Sequence, residues 1–373
     1  MSDTNQGKNK TVLTDEELKR KFQEEYEKTS AEYRKRPNIL VCGYTGSGKS
    51  SLIKAILGDI VPAEAIGEGK PRTMGYDHYE NEEISLWDSR GLELGETEEQ
   101  FVEQTRQFLN SRVKDMDVDN HIHLVWYVIQ GSGARVTDCD LSLIKEIFSP
   151  KNLIVVITKS DITRQNQKDA IKKVLLQNGL SEKHIVFTSD TEGGSIGCKE
   201  LMLLSLEMLP EAYKDAFAYA QQVDKERRKQ AVLDTKGKAK AIIMTAATSA
   251  GAAGAIPIPI SDAAIITPIQ VGMIGGLAAL YKLKGKELSA TAMPLLAKTI
   301  GMITASSLTK LIPGLGSAIH ATVASSLTLA MGWFVQMQFE KIAIAKALGL
   351  PPPEINFDFE RFKDFLKAYK ANA

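Results

Sequence analysis

The chain has 373 residues, of which 43% are hydrophobic and 25% charged, and its 46 basic side chains equal its 46 acidic ones. This length exceeds the usual size of one core and leaves room for a second domain. A neutral net charge lacks the basic excess typical of DNA-binding proteins, and it also argues against RNA as a partner. Cys42, Cys139 and Cys198 have no paired spacing, which favours a reducing compartment, here the cytoplasm, over a disulfide framework.

The first predicted element is an amphipathic helix within residues 1–36. Residues 15–36 carry seven acidic and seven basic side chains, which suit a solvated helix face. One stripe of this helix is apolar or aromatic: Leu18, Phe22, Tyr26 and Tyr33. We therefore expect the helix to pack on another helix and to end before Pro37, since proline disfavours helical geometry at the preceding residue.

A predicted strand near 38–42 leads into a glycine-rich turn and then a helix. The turn, Gly43-Tyr44-Thr45-Gly46-Ser47-Gly48-Lys49-Ser50, matches the GxxxxGK[ST] pattern of a phosphate-binding loop. Glycine allows positive φ, so that successive N–H groups surround phosphate oxygens at a helix N-terminus. Lys49 supplies charge to the β- and γ-phosphates, which makes it a catalytic candidate too, and Ser50 offers a hydroxyl to Mg²⁺. The predicted nucleotide-binding residues here are Gly43, Thr45, Gly46, Ser47, Gly48, Lys49, Ser50 and Ser51.

Two further segments are predicted to hold the metal ion and to sense the γ-phosphate. Residues 58–75 are polar and rich in glycine and proline, and Thr73 is the candidate there for a second hydroxyl ligand of Mg²⁺. A predicted strand over 84–88 ends in Asp88, which is placed to hold Mg²⁺ through water. With Gly91 it completes a DxxG pattern, and the Gly91 N–H is expected to contact the γ-phosphate.

The choice of base is predicted from the ends of two later strands. An apolar run over 153–157 leads to Thr158-Lys159-Ser160-Asp161, which resembles the [NT]KxD guanine-specificity motif of GTPases. The Asp161 carboxylate can accept hydrogen bonds from guanine N1–H and the 2-amino group, whereas adenine offers no such pair. The stem of Lys159 can lie on the base, and a backbone N–H near Ser189 is expected to meet the base oxygen. The predicted ligands are therefore GTP and GDP with Mg²⁺.

These motifs, in this order, resemble the translation-factor-like class of GTPase domains, particularly its Era-like and immunity-related branches. The resemblance covers residues 37–210 and implies GTP hydrolysis. Apolar runs that alternate with amphipathic helical stretches independently predict a doubly wound α/β sheet with the ligand at the carboxyl ends of its strands. The predicted strands lie at about 38–42, 76–80, 84–88, 123–129, 153–159 and 185–190.

Two positions depart from related GTPases. Leu92 occupies the place where Ras-like enzymes carry a glutamine that orients the attacking water, and an apolar side chain cannot do this. Gly46 stands where potassium-activated relatives carry asparagine. We therefore expect slow hydrolysis by the isolated chain, with the missing group supplied by Arg90, by a homodimer partner or by an activator.

The composition changes after residue 240, where two long stretches carry almost no charge. Small residues and two proline breaks, Pro257–Pro259 and Pro313–Gly314, predict an all-α domain over 241–373, to which we also assign the N-terminal helix. The segment around 255–274 resembles the domain of unknown function shared by YcjF-like bacterial proteins, which implies a link to membranes. The predicted helices span about 240–256, 261–282, 287–311, 317–347 and 356–370.

The predicted linker, residues 211–240, is basic. Between Lys225 and Lys240, seven basic side chains face two acidic ones. Such a segment next to apolar helices is attracted to anionic membranes by about 1 kcal/mol per basic residue. Two hypotheses stay open: a GTPase switch that acts at the cytoplasmic face of a membrane, or a soluble GTPase whose helical domain mediates homodimerisation or partner recruitment.

Overall fold

The structure is a computed structural model that describes residues 14–33, 35–60, 76–81, 83–89, 91, 96–133, 135–191, 194–254, 262–284 and 320–353. The chain forms two compact units. One, which we call the sheet unit, is Arg34–Arg228; the other, the helical unit, is Met1–Tyr33 together with Lys229–Ala373. The predicted linker 211–240 is thus shared between them, with its first part in the sheet unit.

The sheet unit is built on six strands: β1 Asn38–Cys42, β2 Tyr76–Glu80, β3 Ser85–Ser89, β4 Leu124–Gln130, β5 Leu153–Thr158 and β6 Ile185–Phe187. Their order is β2-β3-β1-β4-β5-β6. Neighbouring strands run parallel except β2, which is antiparallel to β3 at one edge. Strands β1 and β5 are buried along their whole length, which explains why both are continuous apolar runs.

The helices follow in chain order, with α2–α7 in the sheet unit: α1 Asp15–Tyr33, α2 Lys49–Leu57, α3 Glu98–Val113, α4 Asp138–Ser142, α5 Gln165–Gln177, α6 Cys198–Met208, α7 Glu211–Ala220, α8 Lys225–Asp234, α9 Lys236–Gly254, α10 Asp262–Leu280 and α11 His320–Leu348. A π turn, Leu143–Ile147, continues α4. Short 3-10 turns lie at Val118–Asn120, Gly131–Gly133 and Glu182–His184.

Both faces of the sheet are covered by helices, as successive residues of β4 show. The Trp126 indole donates a hydrogen bond to Ser205 Oγ of α6 at 3.0 Å. The next side chain points to the opposite face, where the Tyr127 hydroxyl donates to Asp140 Oδ1 of α4 at 2.5 Å. The predicted doubly wound α/β fold is therefore confirmed.

The sixth strand is shorter than predicted. It ends at Phe187 because Ser189–Thr191 (β7) leaves the main sheet and pairs with Gly194–Ile196 (β8) in a separate antiparallel hairpin. One further bond, from the Thr188 N–H to the Ile157 carbonyl at 2.8 Å, still ties the chain to β5. This hairpin directs the residues around Ser189 toward the edge of the sheet where β1 and β5 also end.

In the helical unit, α1 packs on α10, as the apolar stripe predicted. A Cβ at Gly275 would lie 2.5 Å from the Phe22 carbonyl oxygen, so glycine permits direct backbone contact between the two helices. Gly332 of α11 leaves room for the Ile243 side chain of α9, since a Cβ there would lie 2.7 Å from a methyl carbon of that side chain. The helical domain formed by the C-terminal region and the N-terminal helix is thus confirmed.

Three of the predicted apolar helices correspond to α9, α10 and α11. The predicted helices over 287–311 and 356–370 and the two proline breaks lie outside the described residues. Within the described part of the chain, no helix is both long and apolar enough to cross a membrane.

Candidate functional site

The glycine-rich loop joins β1 to α2 at the carboxyl edge of the sheet. Three of its glycines have positive φ: 149° at Gly43, 77° at Gly46 and 97° at Gly48. At Gly43 the backbone of β4 is so close that a Cβ would lie 2.2 Å from the Val128 carbonyl oxygen. Gly43 is therefore required for two reasons: its positive φ disfavours other residues, and β4 leaves no room for a Cβ.

Lys49 lies inside this loop and is only 7% exposed. Its Nζ donates hydrogen bonds to the Gly43 carbonyl at 2.9 Å and to the Tyr44 carbonyl at 3.1 Å. Burial lowers the pKa of this ammonium group, and the negative charge of Asp88 opposes that effect. The site thus presents a buried cation at the base of the loop, held by carbonyl oxygens of the loop itself.

Asp88, at the end of β3, is the acidic group of the site. Burial raises the pKa of its carboxyl to about 7, and the nearby Lys49 charge limits the rise. Among the described residues, its enclosed Oδ1 has no hydrogen-bond partner. An enclosed carboxylate oxygen without a partner is suited to Mg²⁺ or to a water bound to it, because this ion prefers oxygen ligands.

The other two residues predicted to hold the metal ion are Ser50 and Thr73. Ser50 follows Lys49 at the start of α2, and Thr73 lies outside the described residues. No cluster of three or more His, Cys, Asp or Glu side chains suited to a metal occurs in the described ranges. Ser50 and Asp88 offer a hydroxyl and a carboxylate, which are oxygen donors of the kind that Mg²⁺ prefers; this ion usually takes one or two protein ligands, with phosphate and water supplying the rest.

The DxxG glycine lies directly against the phosphate loop. Gly91 has φ 82°, and a Cβ there would lie 2.4 Å from the Thr45 nitrogen and 2.6 Å from the Tyr44 carbonyl carbon. The backbone after β3 is thus in contact with the middle of the loop. Arg90 and Leu92, on either side of this glycine, lie outside the described residues.

A cavity of about 200 Å³ opens beside α2 between the ends of β5 and β6. Both residues predicted to read the base, Asp161 and Ser189, line it. Asp161 is exposed, whereas Ser189 is buried and its Oγ has no hydrogen-bond partner among the described residues. The other lining residues are Gly48, Ser51, Leu52, Ala55, Thr158, Lys159, Ile162, Thr188 and Cys198.

Hydrogen bonds hold the floor of this cavity. Thr158 Oγ1 donates to the Ser47 carbonyl at 2.5 Å, and Lys159 Nζ donates to the Gly46 carbonyl at 3.3 Å. The Ser160 N–H donates to the Thr188 carbonyl at 3.0 Å. The three segments that the sequence predicted to act on one nucleotide are therefore joined to one another.

Lys159 adopts a left-handed backbone, with φ 54°. This costs a residue with a side chain about 1–2 kcal/mol. The Thr163 hydroxyl donates to the Lys159 carbonyl at 2.7 Å and helps to hold the turn. The conformation carries the lysine stem to the cavity wall, and strained backbone of this kind is common where a ligand binds.

Some residues of the site were not predicted from the sequence. Cys198 reaches the cavity because α6 begins directly after Gly197, whose φ is 75° and where a Cβ would lie 1.9 Å from the Phe187 carbonyl oxygen. The glycine run before α6 was a signal for this tight turn. Tyr44 was also missed, since nothing in the loop pattern indicates where its side chain lies.

Comparison with known proteins finds sequence similarity to septins. Residues 73–195 match the family model described as Septin. Septin CDC11 of Candida albicans is 23% identical over 171 residues, which cover 38% of this chain and 41% of that protein. Cell division control protein 10 of the same yeast is 22% identical over 179 residues, with coverage of 42% and 50%. The matches thus span half or less of the length of these relatives.

Solved structures similar to this chain include two of Toc33 from Arabidopsis thaliana. A dimerization-deficient mutant has 15% sequence identity and a TM-score of 0.33, with coverage of 54% of this chain and 92% of Toc33. A complex with Mg²⁺ and GMPPNP has 16% identity and a TM-score of 0.32, with coverage of 55% and 94%.

Proposed function

We propose that the septin-type P-loop GTPase domain of this chain is a guanine-nucleotide switch that binds GTP and GDP with Mg²⁺ and hydrolyses GTP slowly. One observation carries this proposal. The phosphate loop ends at Gly48 in the wall of the same cavity that Asp161 and Ser189 line. One ligand with phosphates at the loop and a base in the cavity would therefore contact both the phosphate loop and the residues predicted to read guanine.

Each residue has a defined part in this proposal. Lys49 would exchange the carbonyls of Gly43 and Tyr44 for phosphate oxygens, which are stronger acceptors because they are charged. Ser50 and Asp88 would hold Mg²⁺, which when bound supplies positive charge to the phosphates. Asp161 would accept hydrogen bonds from the guanine edge, so that adenine leaves a carboxylate unpaired.

Slow hydrolysis is proposed because Leu92 stands in place of a water-orienting glutamine. A second copy of the chain or Arg90 would complete the site, and Thr73 would cap the metal ion in the GTP state. The Era-like resemblance of the sequence agrees with a switch of this type, and the YcjF-like resemblance agrees with a link to membranes.

Isothermal titration calorimetry with Mg²⁺ and GTP, GDP, ATP or XTP tests the nucleotide assignment. We expect GTP and GDP to bind far more tightly than ATP. Asp161→Asn should shift preference toward xanthine nucleotides, because an amide can donate to the xanthine 2-oxo group. Asp169→Asn, on the exposed surface of α5, is the matched control and should leave selectivity unchanged. Equal affinities for GTP and ATP in the unaltered protein would refute the guanine assignment.

For the basic segment 225–240, whose residues belong partly to each unit, we propose association with an anionic membrane surface, such as the cytoplasmic leaflet. The supporting observation is charge: Lys225 and Arg227 on α8, with Lys236 and Lys240 on α9, are exposed. Basic residues near such a surface contribute about 1 kcal/mol each. Lys236 also pairs with Glu340 of α11 at 3.2 Å, so its contribution is smaller.

Flotation with liposomes tests this second proposal. The full chain should float with phosphatidylserine vesicles and not with neutral phosphatidylcholine vesicles. Lys225→Gln combined with Arg227→Gln and Lys240→Gln should abolish flotation, whereas Lys168→Gln and Lys173→Gln on α5 combined with Lys183→Gln serve as a control for the loss of three positive charges. A chain that stays with the soluble fraction but sediments as a dimer would favour the homodimer hypothesis instead.

A further inference from the structure

The Tyr44 side chain leaves the phosphate loop and reaches the first turns of two other helices. Its hydroxyl donates a hydrogen bond to Glu98 Oε1 at 2.9 Å and lies 3.0 Å from Thr137 Oγ1. Glu98 is the first residue of α3, and Thr137 is the N-cap of α4. The ring packs near Phe101 of α3, with the centroids 6.3 Å apart. One side chain thus connects the loop to both helices.

The backbone of Tyr44 contacts two residues that the sequence predicts to bind phosphate, Lys49 and Gly91. Its carbonyl accepts from Lys49 Nζ at 3.1 Å. Its carbonyl carbon lies next to Gly91, where a Cβ would be 2.6 Å away. Any movement of Lys49 toward a phosphate, or of Gly91, the glycine of DxxG, therefore acts on the Tyr44 peptide.

Helix α3 is the element that such a movement would reach. It begins seven positions after Gly91, and in GTPases the chain that follows DxxG responds to the γ-phosphate. A capping box fixes its start: the Gln100 N–H donates to Thr97 Oγ1 at 3.2 Å, and the Thr97 N–H donates to Gln100 Oε1 at 2.9 Å. The hydrogen bond from Tyr44 to Glu98 lies at this same first turn.

We infer that Tyr44 is the positioning residue that transmits the nucleotide state from the phosphate loop to the start of α3. This inference depends on the proposed function. When Lys49 turns to the phosphates, the Tyr44 carbonyl loses its cationic donor and the peptide is able to shift. A tyrosine side chain has only two rotatable bonds, so the shift moves its hydroxyl and the bond to Glu98 with it. A hydrogen bond to a carboxylate is strong enough for α3 to follow.

Hydrogen–deuterium exchange of the full chain tests this inference. Exchange of the amides in the first turn of α3, from Glu98 to Phe101, is measured with GDP and with GMPPNP, each with Mg²⁺. The unaltered protein should show different exchange rates in the two states. In Tyr44→Phe, which keeps the ring and removes the hydroxyl, the two rates should become equal. GDP affinity, measured in parallel, should change by less than about tenfold, because no phosphate contact is lost.

Two further variants separate coupling from stability. Glu98→Ala removes the acceptor at an exposed position and should also make the two rates equal. Tyr213→Phe removes an equivalent bond, from its hydroxyl to Asp119 Oδ1 at 2.6 Å, and should preserve the difference between the two nucleotides.

The outcomes distinguish the inference from the proposal on which it depends. If neither GDP nor GMPPNP binds the unaltered protein, the proposed function fails. If both bind and α3 exchanges alike in the two states, or if Tyr44→Phe and Glu98→Ala keep the difference, the inference about Tyr44 is wrong and the proposed function stands.

Discussion

The buried carboxyl of Asp88 predicts an unusual effect of pH on the ligand-free protein. Its pKa of about 7 lies roughly 3 units above the ordinary value of 3.8. A raised pKa in the folded state means that the stability contributed by the protonated form is lost as pH rises from about 4 to about 7. Each unit corresponds to about 1.4 kcal/mol, so the loss amounts to about 4 kcal/mol at pH 8.

Asp88→Asn removes this titration while preserving the shape of the side chain. The variant should therefore be more stable than the unaltered protein at pH 8, and the difference should grow by about 3 kcal/mol between pH 5 and pH 8. With Mg²⁺ and GMPPNP added, the unaltered protein should become more stable than the variant. A ligand that binds only the folded state stabilises it, and the variant binds this ligand more weakly because it has lost a metal ligand. The same substitution thus stabilises the free protein and weakens the complex.

Urea unfolding at 25 °C across this pH range measures the difference. Trp87 and Trp126 both lie in the sheet unit, so their fluorescence follows that unit once Trp333 of α11 is replaced by Phe. The midpoints and slopes give the free energy of unfolding by linear extrapolation. A difference between the variant and the unaltered protein that does not change from pH 5 to pH 8 would refute the assignment of a raised pKa to Asp88.

Three other predictions concern single residues. Gly43→Ala should destabilise the sheet unit by about 3 kcal/mol in urea unfolding, because a Cβ would overlap Val128; Gly46→Ala, where the space is open, should cost only about 1–2 kcal/mol. Burial lowers the pKa of His123 below 6.5, so the stability that its neutral form contributes is complete above pH 6.5 and is lost as the pH falls below that value. His123→Gln should therefore reduce the dependence of the free energy of unfolding on pH below 6.5, and an unchanged pH dependence in this variant would contradict the lowered pKa. In a dilution series, specific GTPase activity should fall as the protein is diluted and Arg90→Ala should be slower at every concentration, whereas a flat, fast profile for both would show that the monomer is catalytically complete.

The sheet could be predicted closely from the sequence. Strands β1, β4, β5 and β6 are short, largely apolar runs between polar segments, a pattern that burial in the sheet favours. The end of β6 was predicted too late, because Ser189–Thr191 is extended but pairs with Gly194–Ile196 instead of continuing the main sheet. A one-dimensional pattern indicates that a segment is extended, and it does not indicate which strand pairs with it.

Residues of the site could be predicted only where they belong to a motif with fixed spacing along the chain. The loop glycines, Asp88 and Asp161 follow from their motifs, because each motif keeps its residues near one strand end. The contact between Tyr44 and Glu98 joins residues 54 positions apart, and it depends on where the first turn of α3 lies. The same is true of Cys198, which enters the cavity wall through the tight turn at Gly197.

The close contact between α1 and α10 also bears on how the protein is made. Residues 15–33 leave the ribosome first, yet Gly275, on which the Phe22 backbone rests, is synthesised only after the whole sheet unit. At about 5–20 residues per second, α1 waits on the order of ten seconds or more for its partner. During that interval Leu18 and Phe22, which are buried in the finished protein, are exposed to solvent and available to a chaperone.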